Sequence, residues 1–202
     1  MSFPRRHLTL VVLLTTGALD RLAAQVHWSS HLGATYTTTM VTDQIAGNVV
    51  TVAPGISPTL GIAATYPLKS RVPLHASAEL QLALGTLERT ERGVTADVSP
   101  LRTVAFTGGL EGQIRPEIGW RLGIGLVSYG LSEKSGVFQE GRPIRLLGTA
   151  ALEYSRALTS SLRLRALLRY DIHAFTTKQL QSNGYTGSQT VHRATVGVGV
   201  SR

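Results

Sequence analysis

There is no cysteine in the 202 residues of this chain. That excludes disulfide staples, thiol nucleophiles, cysteine-bound zinc, iron–sulfur clusters and a cysteine-borne lipid anchor. Charge is scarce as well: only 16% of residues are Asp, Glu, Lys or Arg, against about 25% in ordinary soluble domains. With 43% of residues apolar, the composition is not that of a disordered chain. Long apolar runs are missing too. Beyond the N-terminus none reaches the roughly 18–20 residues that a spanning helix requires, which excludes a multi-helix membrane protein. Length points to one domain. Two classes remain: a soluble all-β domain, or a β-barrel that carries its apolarity in alternate positions.

Residues 1–25 have the layout of a secretory signal peptide. Arg5 and Arg6 form a basic start, Leu8 to Leu19 a mostly apolar stretch of about a dozen residues, and Leu22-Ala23-Ala24-Gln25 offers small residues for cleavage after Ala24 or Gln25. The apolar stretch is too short to span a bilayer. Residues 26–202 then form the expected mature domain, with 17 basic and 11 acidic residues. The basic residues form no run or stripe, so a nucleic-acid partner is not expected.

What the chain does contain is alternation with period two, the mark of a half-buried strand. Leu74, Ala76, Ala78, Leu80, Leu82 and Leu84 oppose His75, Ser77, Glu79 and Gln81. Trp120, Leu122, Ile124 and Leu126 oppose Arg121, Gly123 and Gly125. Leu146, Gly148, Ala150, Leu152 and Tyr154 oppose Arg145, Thr149, Ala151 and Glu153. Leu162, Leu164, Ala166, Leu168, Tyr170 and Ile172 oppose Arg163, Arg165, Arg169, Asp171 and His173, with Leu167 the apolar exception on that second face. Four weaker segments (28–39, 56–66, 104–114 and 192–200) bring the expected number of strands to eight. An even number suits a closed antiparallel up-and-down barrel.

The links between these strands alternate in length. Those at 67–71, 115–118 and 157–160 are short, whereas those at 40–54, 88–100, 132–143 and 176–190 are long and polar. Short periplasmic turns and long external loops are the habit of outer-membrane barrels. The aromatics agree. On the apolar face Trp28, Tyr66, Trp120 and Tyr154 fall at the end with the short turns, and Tyr36, Phe106 and Tyr170 at the other. Two aromatic girdles at the headgroup levels are therefore expected.

In this topology the chain resembles the small eight-stranded outer-membrane barrels, the OmpA-like and OmpX-like group, over all of residues 26–202. The resemblance implies a monomer in the outer membrane of a diderm bacterium, in contact with membrane lipids and inserted by the barrel-assembly machinery. Such barrels usually finish on an aromatic residue that this machinery reads; here the last residues are Val198-Gly199-Val200-Ser201-Arg202.

Eight strands enclose a space that side chains about fill. The expected lumen network is Glu79, Glu111, Arg121, Arg145, Glu153, Arg163, Arg165, Arg169 and Asp171, acids and bases paired because lone buried charges are costly. A polar plug is the favoured reading of it. A narrow pore is the alternative, with Gly123, Gly125, Gly197 and Gly199 leaving gaps. Neither His173 with Asp171 nor His75 with Glu79 has a serine partner, and no nucleophile elbow, metal motif or phosphate loop is present. No catalytic residue, cofactor or metal is expected. A lipid-modifying enzyme is the weaker reading. The favoured one is a structural role or surface interaction through the external loops, where Arg89, Arg92, Arg102 and Arg142 could pair with lipopolysaccharide phosphates. Alternation alone also allows the inverse arrangement: a soluble lipocalin-like barrel with the apolar face inward, binding a small apolar ligand.

Overall fold

A computed structural model describes residues 26–45, 48–131, 144–175 and 190–202. The expected signal peptide and the long links at 132–143 and 176–189 lie outside the described residues. The strands are β1 (His27–Thr37), β2 (Val41–Ile45), β3 (Asn48–Pro54), β4 (Ser57–Pro67), β5 (Leu74–Glu91), β6 (Val94–Arg115), β7 (Ile118–Leu131), β8 (Ile144–Ala157), β9 (Arg163–Ala174) and β10 (Thr190–Ser201). Eight of them close a ring in which every neighbour is antiparallel: β1-β4-β5-β6-β7-β8-β9-β10, and back to β1. Closure leaves no free edge in the ring.

The register gives the stagger of the ring. From Thr37 the paired residues run through Arg193, Asp171, Thr149, Gly123, Gly109, Ser77 and Thr65 to His27, ten residues from the start on the same strand. Such a stagger tilts the strands, by about 35–45° in barrels generally. Two glycine pairs, Gly109 with Gly123 on that path and Gly33 with Gly197 beside it, bring backbones so close that a Cβ on either strand would press on the other's main chain. The glycines thus mark bends of a narrow barrel, not gaps. At Gly123, Gly125, Gly197 and Gly199 the space of the missing side chain is occupied by the neighbouring strand.

The faces are decided without ambiguity. The apolar set points out: Leu32, Leu122, Ile124, Leu168, Val196 and Val198 are all exposed, Ile124 by 69%. Inside are Glu79, Gln81, Arg121, Arg169, Asp171 and Arg193, each no more than 5% exposed. This is the reverse of a soluble ligand-binding barrel, and it overturns the lipocalin-like alternative. A water-soluble protein gains by burying Leu and Ile, and only a bilayer rewards a belt of them on the outside.

Two of the expected long loops are in fact strands. β5 and β6 continue past the ring and join through a two-residue turn at Arg92 and Gly93, whose φ angles of 51° and 79° match the twist of a tight hairpin. β3 pairs with the same extension of β5, and β2 pairs with β3. The four make a sheet projecting from one end. These segments alternate weakly because neither face meets lipid; Thr42, Thr51, Thr90 and Thr95 share one row across all four strands. We call this the hairpin end. The opposite end, with the tight turns at 68–73, 116–117 and 158–162, is the turn end.

Candidate functional site

The lumen changes character along its axis. Its middle is a continuous ion-pair network. Arg121, from β7, donates to Glu79 on β5, to Glu111 on β6 (3.0 and 3.3 Å) and to Glu153 on β8 (2.8 Å). Glu153 also pairs with Arg165 on β9. Glu79 uses its second oxygen to accept from Arg169 at 2.5 Å. Arg169 Nε donates to Asp171 Oδ1 at 2.7 Å. Arg193, from β10, reaches Asp171 Oδ2 at 3.3 Å and Gln81 Oε1 at 3.2 Å. Four guanidinium groups thus meet four carboxylates, and the charges cancel. Alternation explains why all these groups point inward; the ring explains why they meet. Glu79 and Arg169 are 90 residues apart on strands that are not neighbours, and they touch across the lumen.

Seven of the nine expected network residues are joined in this way: Glu79, Glu111, Arg121, Glu153, Arg165, Arg169 and Asp171. Arg145 and Arg163 stand apart. Arg145 lies near the hairpin end, donates to the carbonyls of Phe175 (2.7 Å) and Ile144 (3.0 Å), and sits over the Phe175 ring at 5.2 Å. Arg163 opens β9 at the turn end, is exposed, and donates to Ser155 Oγ at 3.1 Å. The first and last residues of a strand lie beyond the packed middle, so inward parity alone does not bury them. Arg193 is the member that sequence reasoning left out. Its sequence signal was its parity, alternating with Ala194 and Val196; the structure then pairs it in register with Asp171.

Toward the hairpin end the lumen turns apolar. Met40, Leu87, Leu101, Ala105, Val127, Tyr129, Leu147, Phe175 and Val191 form one buried cluster, none more than 3% exposed. The Tyr129 hydroxyl is bonded to His173 Nε2 at 2.7 Å, and its ring meets Phe175 edge-on at 5.9 Å. This cap was not foreseen. Toward the turn end the lumen opens into a vestibule of about 240 Å³.

Of the groups weighed for catalysis, all but His75 are engaged elsewhere. His173 binds Tyr129, the Asp171 carboxylate is held by Arg169 and Arg193, and Glu79 by Arg121 and Arg169. On the outer surface Trp28, Tyr36, Phe106, Tyr154 and Tyr170 are exposed, whereas Tyr66 and Trp120 are half-buried, the Trp120 indole lying over Gly112. Tyr36 and Tyr170 flank Ala194 in one cross-strand row, and Tyr170 also bonds the His192 ring.

Fold and lumen together define the class: an eight-stranded transmembrane β-barrel with a packed, ion-paired interior. No protein-family model and no curated protein matches the chain. Among solved structures it is similar to Neisserial surface protein A, with a TM-score of 0.56 at 10% identity over 88% of this chain and 96% of that one. It is also similar to the outer membrane protein OprG of Pseudomonas aeruginosa (TM-score 0.48, 11% identity, 88% and 95% covered). For Ail, the attachment invasion locus protein of Yersinia pestis, the TM-score is 0.46 at 12% identity, with 88% and 99% covered. The fold is that of the small outer-membrane β-barrels.

Proposed function

We propose that the protein is an integral outer-membrane barrel, closed to solutes, with a structural role and an interaction surface at its hairpin end. The observation that carries this reading is the double seal of the lumen. A charge-balanced network fills the middle, and an apolar cluster covers the side toward the hairpin end. An ion would have to part several buried pairs and then cross a dry plug, each step opposed by the cost of desolvating charge. The reading is non-enzymatic, because both candidate carboxylates, Glu79 and Asp171, are held by arginine and His173 is held by Tyr129.

On this reading the turn end faces the periplasm and the projecting sheet faces outward. Membrane lipids cover the apolar belt, and the closed ring needs no second copy to satisfy its edges. Insertion by the barrel-assembly machinery belongs to the same proposal. Of the rim arginines, Arg89 is paired with Glu91 at 2.7 Å and Arg92 with Asn48 at 2.9 Å. Arg102 is exposed and is the one we assign to lipopolysaccharide phosphate; Arg142 lies outside the described residues.

Two measurements test the proposal. Protein extracted from the outer-membrane fraction should migrate differently on a gel before and after boiling, since a folded barrel resists SDS. In a planar bilayer it should give no stable conductance steps. Steady steps would make the narrow pore the function instead. Absence from the membrane fraction would remove the reading altogether.

A further inference from the structure

The vestibule at the turn end has a composition that the sealed barrel does not need. The two acidic side chains that line it, Glu111 and Glu153, are both held by arginine: Glu111 by Arg121, Glu153 by Arg121 and Arg165. What remains facing the cavity is donor-rich. Arg163 is bonded only to Ser155 Oγ, and the His27 and His75 rings have no hydrogen-bond partner among the described residues.

A second observation lies deeper. Ser29, Glu153 and Arg165 also line a small cavity of about 10 Å³ beside His31. The His31 side chain is 10% exposed, and its Nε2 is buried without a hydrogen-bond partner, 3.9 Å from Glu79. Its ring takes the place that a side chain at Gly61 would fill, and Gly199 flanks it on the other strand. The backbone is thus shaped to keep an imidazole on the floor of the vestibule.

We propose that this vestibule is a binding site for a small oxyanionic solute, a phosphate or carboxylate compound, held by Arg163 with His27 and His75 and reaching toward His31. The guanidinium fork matches the paired oxygens of such a group. At about 240 Å³ the cavity is below the roughly 300–1,000 Å³ of drug-sized pockets, so the ligand is small. The network above closes the site inward, so it retains solute instead of passing it. On the orientation proposed above it is filled from the periplasm.

The test uses the barrel folded in a phosphorus-free detergent, with its histidine rings isotope-labelled and the pH held constant. Inorganic phosphate and succinate are the probes. The His27, His75 and His31 signals should move and saturate in the millimolar range, with His173 and His192 still. Arg163→Ala should weaken binding about tenfold or more. Arg156→Ala, an exposed outward-facing residue of β8, should leave it unchanged. No saturation, an unaltered response in Arg163→Ala, or equal movement of His192 would overturn the proposal. A response that appears only with phosphatidylglycerol in nanodiscs, without added probe, would assign the site to a lipid headgroup and overturn it too.

Discussion

The two halves of the lumen are sealed by opposite means. Through the middle, above the vestibule, the filling is arginine and carboxylate, ordered by charge. Toward the hairpin end it is Met40, Leu87, Val127, Leu147 and Phe175, ordered by shape. An apolar plug is dry and cheap to assemble. An ionic one must satisfy each buried group or it costs more than it contributes. The network places its partners on β5, β6, β7, β8, β9 and β10. It therefore specifies which strands face each other across the ring, which a set of interchangeable aliphatic side chains does not. We read the ionic half as the part that fixes register and the apolar half as the part that excludes water.

That contrast can be broken at several points. The largest effect belongs to Glu79→Ala. Both carboxylate oxygens are in use, so its removal takes one partner from each of Arg121 and Arg169 and leaves the buried network one negative charge short. A loss of about 3–5 kcal/mol is expected, read as a lowered urea midpoint of the barrel in micelles. A midpoint equal to that of the parent protein would mean the network adds nothing. Leu147→Ala, in the cap, should cost about 2–4 kcal/mol by leaving a cavity, again read as a lowered urea midpoint. On the lipid face Ile124→Arg should cost about 2–4 kcal/mol if the residue lies near the midplane. Its clearest readout is a fall in the fraction that inserts and shows the gel shift. The smallest effect is that of Arg163→Ala, an exposed arginine with one neutral partner. Its unfolding free energy, read from the urea midpoint, should stay within about 0.5 kcal/mol of the parent, which separates an arginine at the rim from those inside.

Much of the barrel was legible in alternation. Segments such as 74–84 and 162–173 carry Leu on one parity and charge on the other, and a period of two leaves only one way to place them on a sheet with two unlike sides. Legibility ended where both sides became alike. Beyond Leu126, Val127 and Tyr129 turn inward into the cap and Leu131 packs against it, so the inner face becomes apolar like the outer one and the contrast disappears. At 88–100 the reverse holds. Both faces are polar past the lipid, and a hairpin reads as a loop until the Arg92-Gly93 turn is recognised. Arg145 and Arg163 had the right parity but the wrong level. Parity tells which way a side chain points and is silent about depth.

By itself, then, the order of residues determined the class of architecture: eight alternating segments, the length of the turns, and two unlike faces, because strand geometry is local. It did not determine which face was outside, since inverting a barrel preserves every alternation. Nor did it determine which arginine meets which carboxylate. Those were decided by closure. Once the ring joins with a stagger of ten residues, Glu79 and Arg169 are brought within bonding distance across a lumen too narrow to hold either of them alone.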